Sequence, residues 1–191
     1  MAKIEKIPVI SNPQLIDKVI ADVQKGLTDN LSWLNHAFGR AQRLVKEISG
    51  KKIFTPNVYA GGKDYIEVSP DVNIGNFSFF TIDDPQLVDW QPKIPGDITV
   101  NYSLIVWFNV DRIPGAENRN TEFVKSEILK TLNGKFWLKS GRLNVTKIYE
   151  QAENIYRGFS LDEIDNQFLM HPYCGFRFYG EMTINETCYS V

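Results

Sequence analysis

The segment from Asp97 to Ile113 reads DITVNYSLIVWFNVDRI, and it decides the fold. Its even-numbered positions from 98 to 110 are all apolar or aromatic, whereas its odd-numbered positions mix polar and apolar residues. Successive side chains of a β-strand point to opposite faces of a sheet, so this alternation predicts a strand with one packed face. Pro95-Gly96 and Pro114-Gly115 mark its two ends. We therefore expect a long central strand.

A second alternating segment runs from Gly175 to Thr187, near the end of the chain. Phe176 and Phe178 lie on the same face as two later apolar residues, and polar residues occupy the other face. Gly180 in the middle predicts a bend or a bulge. These two segments predict the two longest strands of a mainly antiparallel sheet in a single α+β domain.

Apolar residues at helical spacing predict three helices, over 13–27, 32–49 and 121–132, which we expect to cover the apolar face of the sheet. Asn12-Pro13 is a typical start for the first helix, because Asn caps well and Pro suits the first helical position. Gly50 is a typical terminator for the second helix.

The remaining segments carry weaker patterns. Residues 144–156 have a helical period, and 160–168 predicts a short helical turn with a capping box. Residues 136–138 predict a brief strand, and 83–96, with three prolines and no periodicity, predict a loop.

The size and composition suit one globular domain. The chain has 191 residues, of which 43% are hydrophobic and 13% aromatic, enough to build a core. We expect a single domain over 1–191, with an extended N-terminal arm at 1–11 and an insertion at 135–168 before the last strand. The formal net charge of −2 and the lack of a basic stripe argue against nucleic acid as a partner.

The two cysteines, Cys174 and Cys188, flank the last predicted strand, which would hold them far beyond disulfide reach. Separated thiols suit a reducing compartment. The first residues lack the apolar stretch of a signal peptide, and no window is long and apolar enough for a transmembrane helix. We expect a protein made in the cytoplasm, without a membrane partner.

The sequence carries no catalytic or cofactor signature. It lacks a nucleophile elbow, a paired-cysteine motif, a phosphate loop and a dinucleotide fingerprint. His36 and His171 are its only histidines, and no ligand cluster surrounds either of them in sequence. The carboxylates at 162, 163 and 165 lack calcium-loop spacing and are typical of a solvated helix start. We therefore expect no enzyme activity, no catalytic residues, no metal and no cofactor.

The order of elements resembles the tail terminator and tail completion proteins of long-tailed bacteriophages, the lambda tail terminator among them. The resembling pieces are Pro56-Asn57-Val58-Tyr59, the long strand at 98–110, the helix at 121–132 and the closing strand at 176–187. The resemblance implies a non-enzymatic structural subunit of a phage or prophage tail, made in the bacterial cytoplasm and built into the virion. It also implies assembly into a ring, often hexameric, that contacts a tail tube or a head–tail connector.

The long strand also suggests where such a subunit would make contact. Ile105 and Trp107 lie side by side on its less apolar face, where either a helix or another subunit must cover them. The resemblance favours a subunit interface at Ile105 and Trp107. The alternative function is a small ligand-binding domain or enzyme whose pocket is lined by Trp90, Trp107 or Trp137.

Overall fold

The computed structural model describes residues 12–61, 64–71, 73–91, 94–133, 140–162 and 164–185. These residues form a seven-stranded, mainly antiparallel sheet with helices packed on it, which confirms the α+β class. The helices are α1 (Ile16–Asn30), α2 (Thr121–Asn133) and the single-turn α3 (Ala152–Ile155). The strands are β1 (His36–Ile48), β2 (Lys51–Gly61), β3 (Asp64–Glu67), β4 (Phe77–Gln91), β5 (Ile94–Asn109), β6 (Gly141–Tyr149) and β7 (Tyr173–Asn185). Short 3₁₀ turns lie at Val110–Arg112, Glu117–Arg119 and Asn166–Leu169.

The sheet has the strand order β3-β2-β1-β4-β5-β7-β6, and the described pairings are antiparallel except for β1 with β4. β5 pairs with β7 without a register shift from Asp97↔Asn185 to Asn109↔Tyr173. It also pairs along β4 on its other side. The strand predicted from alternation is therefore confirmed as a central strand of the sheet.

One face of the sheet packs under α1 and α2. Its apolar side chains come from alternate positions of β5 and β7, including Tyr102, Leu104 and Phe178, each with no exposed surface. α1 contributes Val19 and Leu27, which are equally buried. The alternation in the sequence therefore places the larger core on the face that we expected.

The opposite face carries a second, smaller core. Phe77 and Phe79 of β4 meet Trp107 of β5 there, and the segment around α3 covers them with Ile155 and Tyr156. The sheet is thus covered on both faces at this end, and the chain itself supplies the cover.

The predicted helix at 32–49 is wrong, because these residues form a short turn and then β1. β1 and β2 make a tight hairpin in which Ile48 lies opposite Lys51. Its two turn residues, Ser49 and Gly50, both have positive φ, at 51° and 77°. Two positive φ angles are the requirement of a type I′ hairpin turn, so Gly50 ends a strand and not a helix.

Two further predictions are wrong in the middle of the chain. Residues predicted as a loop at 83–96 belong largely to β4 and β5, and β4, with 15 residues, is longer than the 13-residue β7. A register shift between Asp83 and Leu87 accommodates Pro85, which cannot donate to a regular ladder. Residues 144–156, predicted as helical, form most of β6 and then α3. The segment 135–168 therefore contributes an edge strand to the sheet.

The other helices agree better with expectation. α1 begins at Ile16, three residues after the predicted start, and Asn12 makes no cap there because the N-cap is Leu15. α2 begins at Thr121, and Oδ1 of Asn120 accepts a hydrogen bond from the Phe123 amide at 3.1 Å. The turn at 160–168 is helical only over Asn166–Leu169. The arm at 1–11, the strand at 136–138 and Cys188 lie outside the described residues.

Candidate functional site

Ile105 and Trp107 lie in the second core. They are 1% and 3% exposed, and the Trp107 indole meets the ring of Tyr156 edge to face, with centroids 5.5 Å apart. The residues that cover them come from the same chain, so the assignment of these two residues to a subunit interface is wrong. The reason is that the segment after β6, which we predicted as part of a helix over 144–156, folds back over β5.

The titratable residues singled out in the sequence do not converge. His36 is half-buried and stacks on Phe38, with ring centroids 5.3 Å apart, and burial lowers the pKa of its imidazole. His171 is exposed, as are Asp162 and Asp165, while Glu163 lies outside the described residues. No group of three or more potential metal ligands forms within the described ranges.

Two surfaces that the sequence did not point to stand out instead. The first is the projecting hairpin, defined here as residues 42–52 at the end of β1 and the start of β2. Every residue in it is exposed. Residues 47–48 pair with 51–52, and residues 42–46 pair with 53–57 further along β2. Leu44, Val45 and Ile48 are 36%, 57% and 42% exposed. The hairpin therefore presents aliphatic side chains on a protruding arm.

The projecting hairpin is held in shape by contacts of its charged side chains. The Arg43 guanidinium lies over the Phe54 ring, 3.8 Å from its centroid. Lys46 makes an ion pair with Glu67 of β3. Cation–π and ion-pair contacts of this kind restrain an arm that has no core of its own.

The end of the β4–β5 hairpin is also exposed. Leu87 and Val88 of β4 are 64% and 56% exposed, among the most exposed large apolar residues in the described chain. β1 and β4 run parallel and share only the pairings from His36↔Phe77 to Arg40↔Phe80. The β1–β2 and β4–β5 hairpins therefore both extend beyond the paired residues at the same end of the sheet.

The second surface is the polar cleft, a cavity of about 520 Å³ on the face of the sheet that carries the second core. It lies beyond that core, where the side chains of the same face become polar. Its lining comes from β4, β5, β6 and β7, from α3 and from the segment after α3: Asp83, Asp84, Asn101, Lys147, Tyr149, Asn154, Arg157, Gly158, Arg177 and Tyr179.

Arg177 forms the floor of the polar cleft. It is 7% exposed, and its Nε donates a hydrogen bond of 2.8 Å to Oγ of Ser103, a buried residue of the neighbouring strand β5. Its Nη1 lies 3.4 Å from the carbonyl oxygens of Asn154 and Arg157. The guanidinium is thus fixed between the sheet and the segment that covers it.

Arg177 keeps its charge in this setting. Burial lowers the pKa of its guanidinium, the Asp83 carboxylate acts in the opposite direction, and the positive charge of Arg157 lowers that pKa further. An arginine stays protonated in proteins even when its pKa is lowered. The cleft therefore holds a permanent, largely buried positive charge.

The sequence contained one signal for the cleft. Arg177 and Tyr179 occupy the polar face of the closing strand, and Asn101 and Ser103 occupy the mixed face of the long strand. The antiparallel register places Arg177 beside Ile105 and Tyr179 beside Ser103, so that the two polar faces become one. The register was not available from the sequence, and the cleft was therefore not predicted.

Comparisons with protein-family models, with curated proteins and with solved structures find no match for this chain. Within the described ranges, no helix is both long and apolar enough to span a membrane.

Proposed function

We propose that this chain is a non-enzymatic structural subunit of a phage or prophage tail, a tail terminator, tail completion or head–tail joining protein that works by assembling into a ring. The projecting hairpin carries this proposal. An arm that is exposed on both faces and bears aliphatic side chains is typical of a surface that becomes buried in an assembly.

The energetics of the arm favour a partner. Val45 and Ile48 leave large fractions of their side chains in water, 57% and 42%. Complete burial of such a side chain contributes about 1.5–3 kcal/mol. A neighbouring subunit that received the arm would gain this apolar burial without having to order the hairpin first, because β1 and β2 are already paired.

The backbone edge of β1 supports the same proposal. Beyond Arg40 the described chain pairs β1 with β2 alone, and the edge that faced β4 has no described strand paired to it. An open edge is a template for strand addition by another chain. Charged residues such as Lys46, Glu47 and Lys51 keep the free arm soluble until a partner arrives.

The partners in this proposal are other copies of the chain and a tail tube or head–tail connector, with neither nucleic acid nor membrane involved. The protein would be made in the bacterial cytoplasm and would end in the virion. A ring can form in solution or only on the end of a tube, and the experiment has to sample both conditions.

The test compares assembly of the natural chain with that of a V45D/I48D variant. Size-exclusion chromatography with light scattering and negative-stain microscopy are run on the free protein, and co-sedimentation is run with tail tubes from the same genome. We expect ring or tube-bound particles for the natural chain and none for the variant. M170D is the matched control, because Met170 is 59% exposed and lies outside the hairpin.

A natural chain that stays monomeric at all concentrations and does not bind tail tubes contradicts the proposal. Equal loss of assembly in M170D and in V45D/I48D would remove the hairpin as its basis.

A further inference from the structure

We propose that the polar cleft binds a small ligand through an oxyanionic group, a phosphate or a carboxylate, held by Arg177, Arg157 and Lys147. This site is separate from the assembly surface, since the cleft and the projecting hairpin share no residue.

Arg177 is already positioned for a ligand. Its Nε bond to Ser103 and its Nη1 contacts with two backbone carbonyls fix the plane of the guanidinium. Ser103 itself has no exposed surface, so this support is rigid. A guanidinium that is fixed before binding loses little conformational entropy when it meets an oxyanion.

The contacts that support Arg177 leave some of its hydrogen-bond donors unused. The described residues give Nη2 of Arg177 no hydrogen-bond partner, and both N–H groups of Nη2 can donate. A phosphate or carboxylate is the natural acceptor for such a pair of donors. Because Arg177 lines the cleft, a ligand in the cleft can reach it.

Within the described ranges, Arg177 has no paired counter-charge. Among the described residues, none of the ion pairs includes Arg177, and its hydrogen-bond partners are all neutral. Burying a charge without a paired carboxylate is unfavourable. Asp83 is close enough to influence Arg177 electrostatically but forms no ion pair with it. An oxyanion in the cleft would supply the counter-charge for Arg177.

The charge and the volume of the cleft favour a small ligand. The cleft contains three cationic side chains and two carboxylates, an excess of one positive charge. Asp83 and Asp84 repel a polyanion such as a nucleic acid, so the balance favours a small ligand with one oxyanionic group. The volume of about 520 Å³ is within the range of small-molecule sites, about 300–1,000 Å³.

Isothermal titration calorimetry of the full chain tests this site. Sodium phosphate and sodium acetate are titrated separately at constant ionic strength, with sodium chloride as the blank. We expect saturable binding of at least one of them, and the comparison decides whether phosphate or carboxylate is preferred. Absence of saturable binding by both up to about 20 mM overturns the proposal.

Variants connect the binding to these side chains. R157M and K147M change exposed residues and leave the buried support of Arg177 intact. Each should weaken binding by about tenfold, the loss expected for one charge-assisted hydrogen bond. R112M, which changes an exposed arginine outside the cleft, is the matched control and should bind like the natural chain. R177M should abolish binding, with its circular dichroism spectrum recorded to verify folding.

Binding that is unchanged in both R157M and K147M, or lost equally in R112M, overturns the proposal. Neither result depends on ring formation, because the titration is performed and scored on the free protein.

Discussion

Gly175 lies directly opposite Trp107 in the β5–β7 ladder, and a Cβ atom on Gly175 would come within 2.5 Å of Cε3 of the indole. It would also come within 2.6 Å of the carbonyl oxygen of Val106. Real Cβ atoms do not approach neighbours this closely, so a larger residue forces either the ring or the backbone to move. The glycine leaves the space that the indole fills as it reaches Tyr156.

We predict that G175A destabilises the protein by about 1–3 kcal/mol, the usual result of overpacking a core. Urea denaturation measures the change. G39A is the matched control, since a Cβ on Gly39 of β1 would make ordinary contact with Gln24 at 3.6 Å. Equal stability of G175A and G39A would show that the indole moves aside freely.

The burial of Trp107 makes a second prediction. W107S should lower the free energy of unfolding by about 3–5 kcal/mol, because truncating a core aromatic leaves a cavity. V45S changes an exposed residue of the projecting hairpin and should stay within about 0.5 kcal/mol of the natural chain. Thermal unfolding and assembly are measured together. A normal melting temperature in W107S with loss of assembly would indicate that Trp107 lies at a subunit interface.

The central strands were predictable because their two faces meet different environments. One face of β5 packs under α1 and α2, while the other changes from the apolar Ile105 and Trp107 to the polar Asn101 and Ser103. Because the two faces need different side chains, apolar and mixed residues alternate along the strand, and this alternation is visible in a single sequence. β7 carries the same signal because it pairs with β5 along its whole length.

The segment 32–49 was not predictable by the same reasoning. Leu44, Val45 and Ile48 fit a helical stripe, but the structure leaves all three exposed. Hydrophobic periodicity reports secondary structure only when the apolar residues face a core. On the projecting hairpin these apolar residues face solvent, so their spacing did not indicate the secondary structure. The local signal was the pair Ser49-Gly50, which forms the turn.

The polar cleft depends on contacts between distant parts of the sequence. Arg177 and Ser103 are 74 residues apart, and the carbonyls that complete the support come from Asn154 in α3 and Arg157 just after it. Each residue alone is typical of a solvated strand face. Only the register and the return of the chain over the sheet convert them into one site.

Tyr102 makes a third prediction, since its hydroxyl is buried and has no hydrogen-bond partner among the described residues. Y102F should raise the free energy of unfolding by about 1 kcal/mol, because it removes an unsatisfied polar group. Equilibrium urea unfolding at neutral pH measures this. Y65F, which changes a tyrosine that is 42% exposed, is the control and should be neutral. Destabilised Y102F protein would indicate that the hydroxyl has a partner.

The same hydroxyl makes the stability of the protein depend on pH in the alkaline range. Burial raises the pKa of Tyr102 above its usual value of 10.0, so the folded state holds this proton more tightly than the unfolded state. The stability that comes from holding this proton is fully present below pH 10 and is lost as the pH rises further. Y102F should therefore lose less stability than the natural chain above pH 10, and parallel curves would contradict the assignment.

The Cys174 thiol should react slowly with alkylating reagents in the folded protein. Burial, followed by the negative charge of Asp111, raises the pKa of Cys174 from 9.0 to about 12. Only the thiolate is alkylated rapidly, and at pH 8 its fraction is about 10⁻⁴ in the folded state against about 10⁻¹ in the unfolded state. In a C188S variant, whose one remaining thiol is Cys174, iodoacetamide should therefore react at least about a hundredfold more slowly in buffer than in urea. Intact-protein mass spectrometry follows the reaction. The raised pKa also means that the folded state retains this proton as the pH rises from 9, so its contribution to stability is present below pH 9 and declines towards pH 12. Comparable alkylation rates in buffer and urea at pH 8 would show that Cys174 is reached by solvent and that its pKa is close to that of a free thiol.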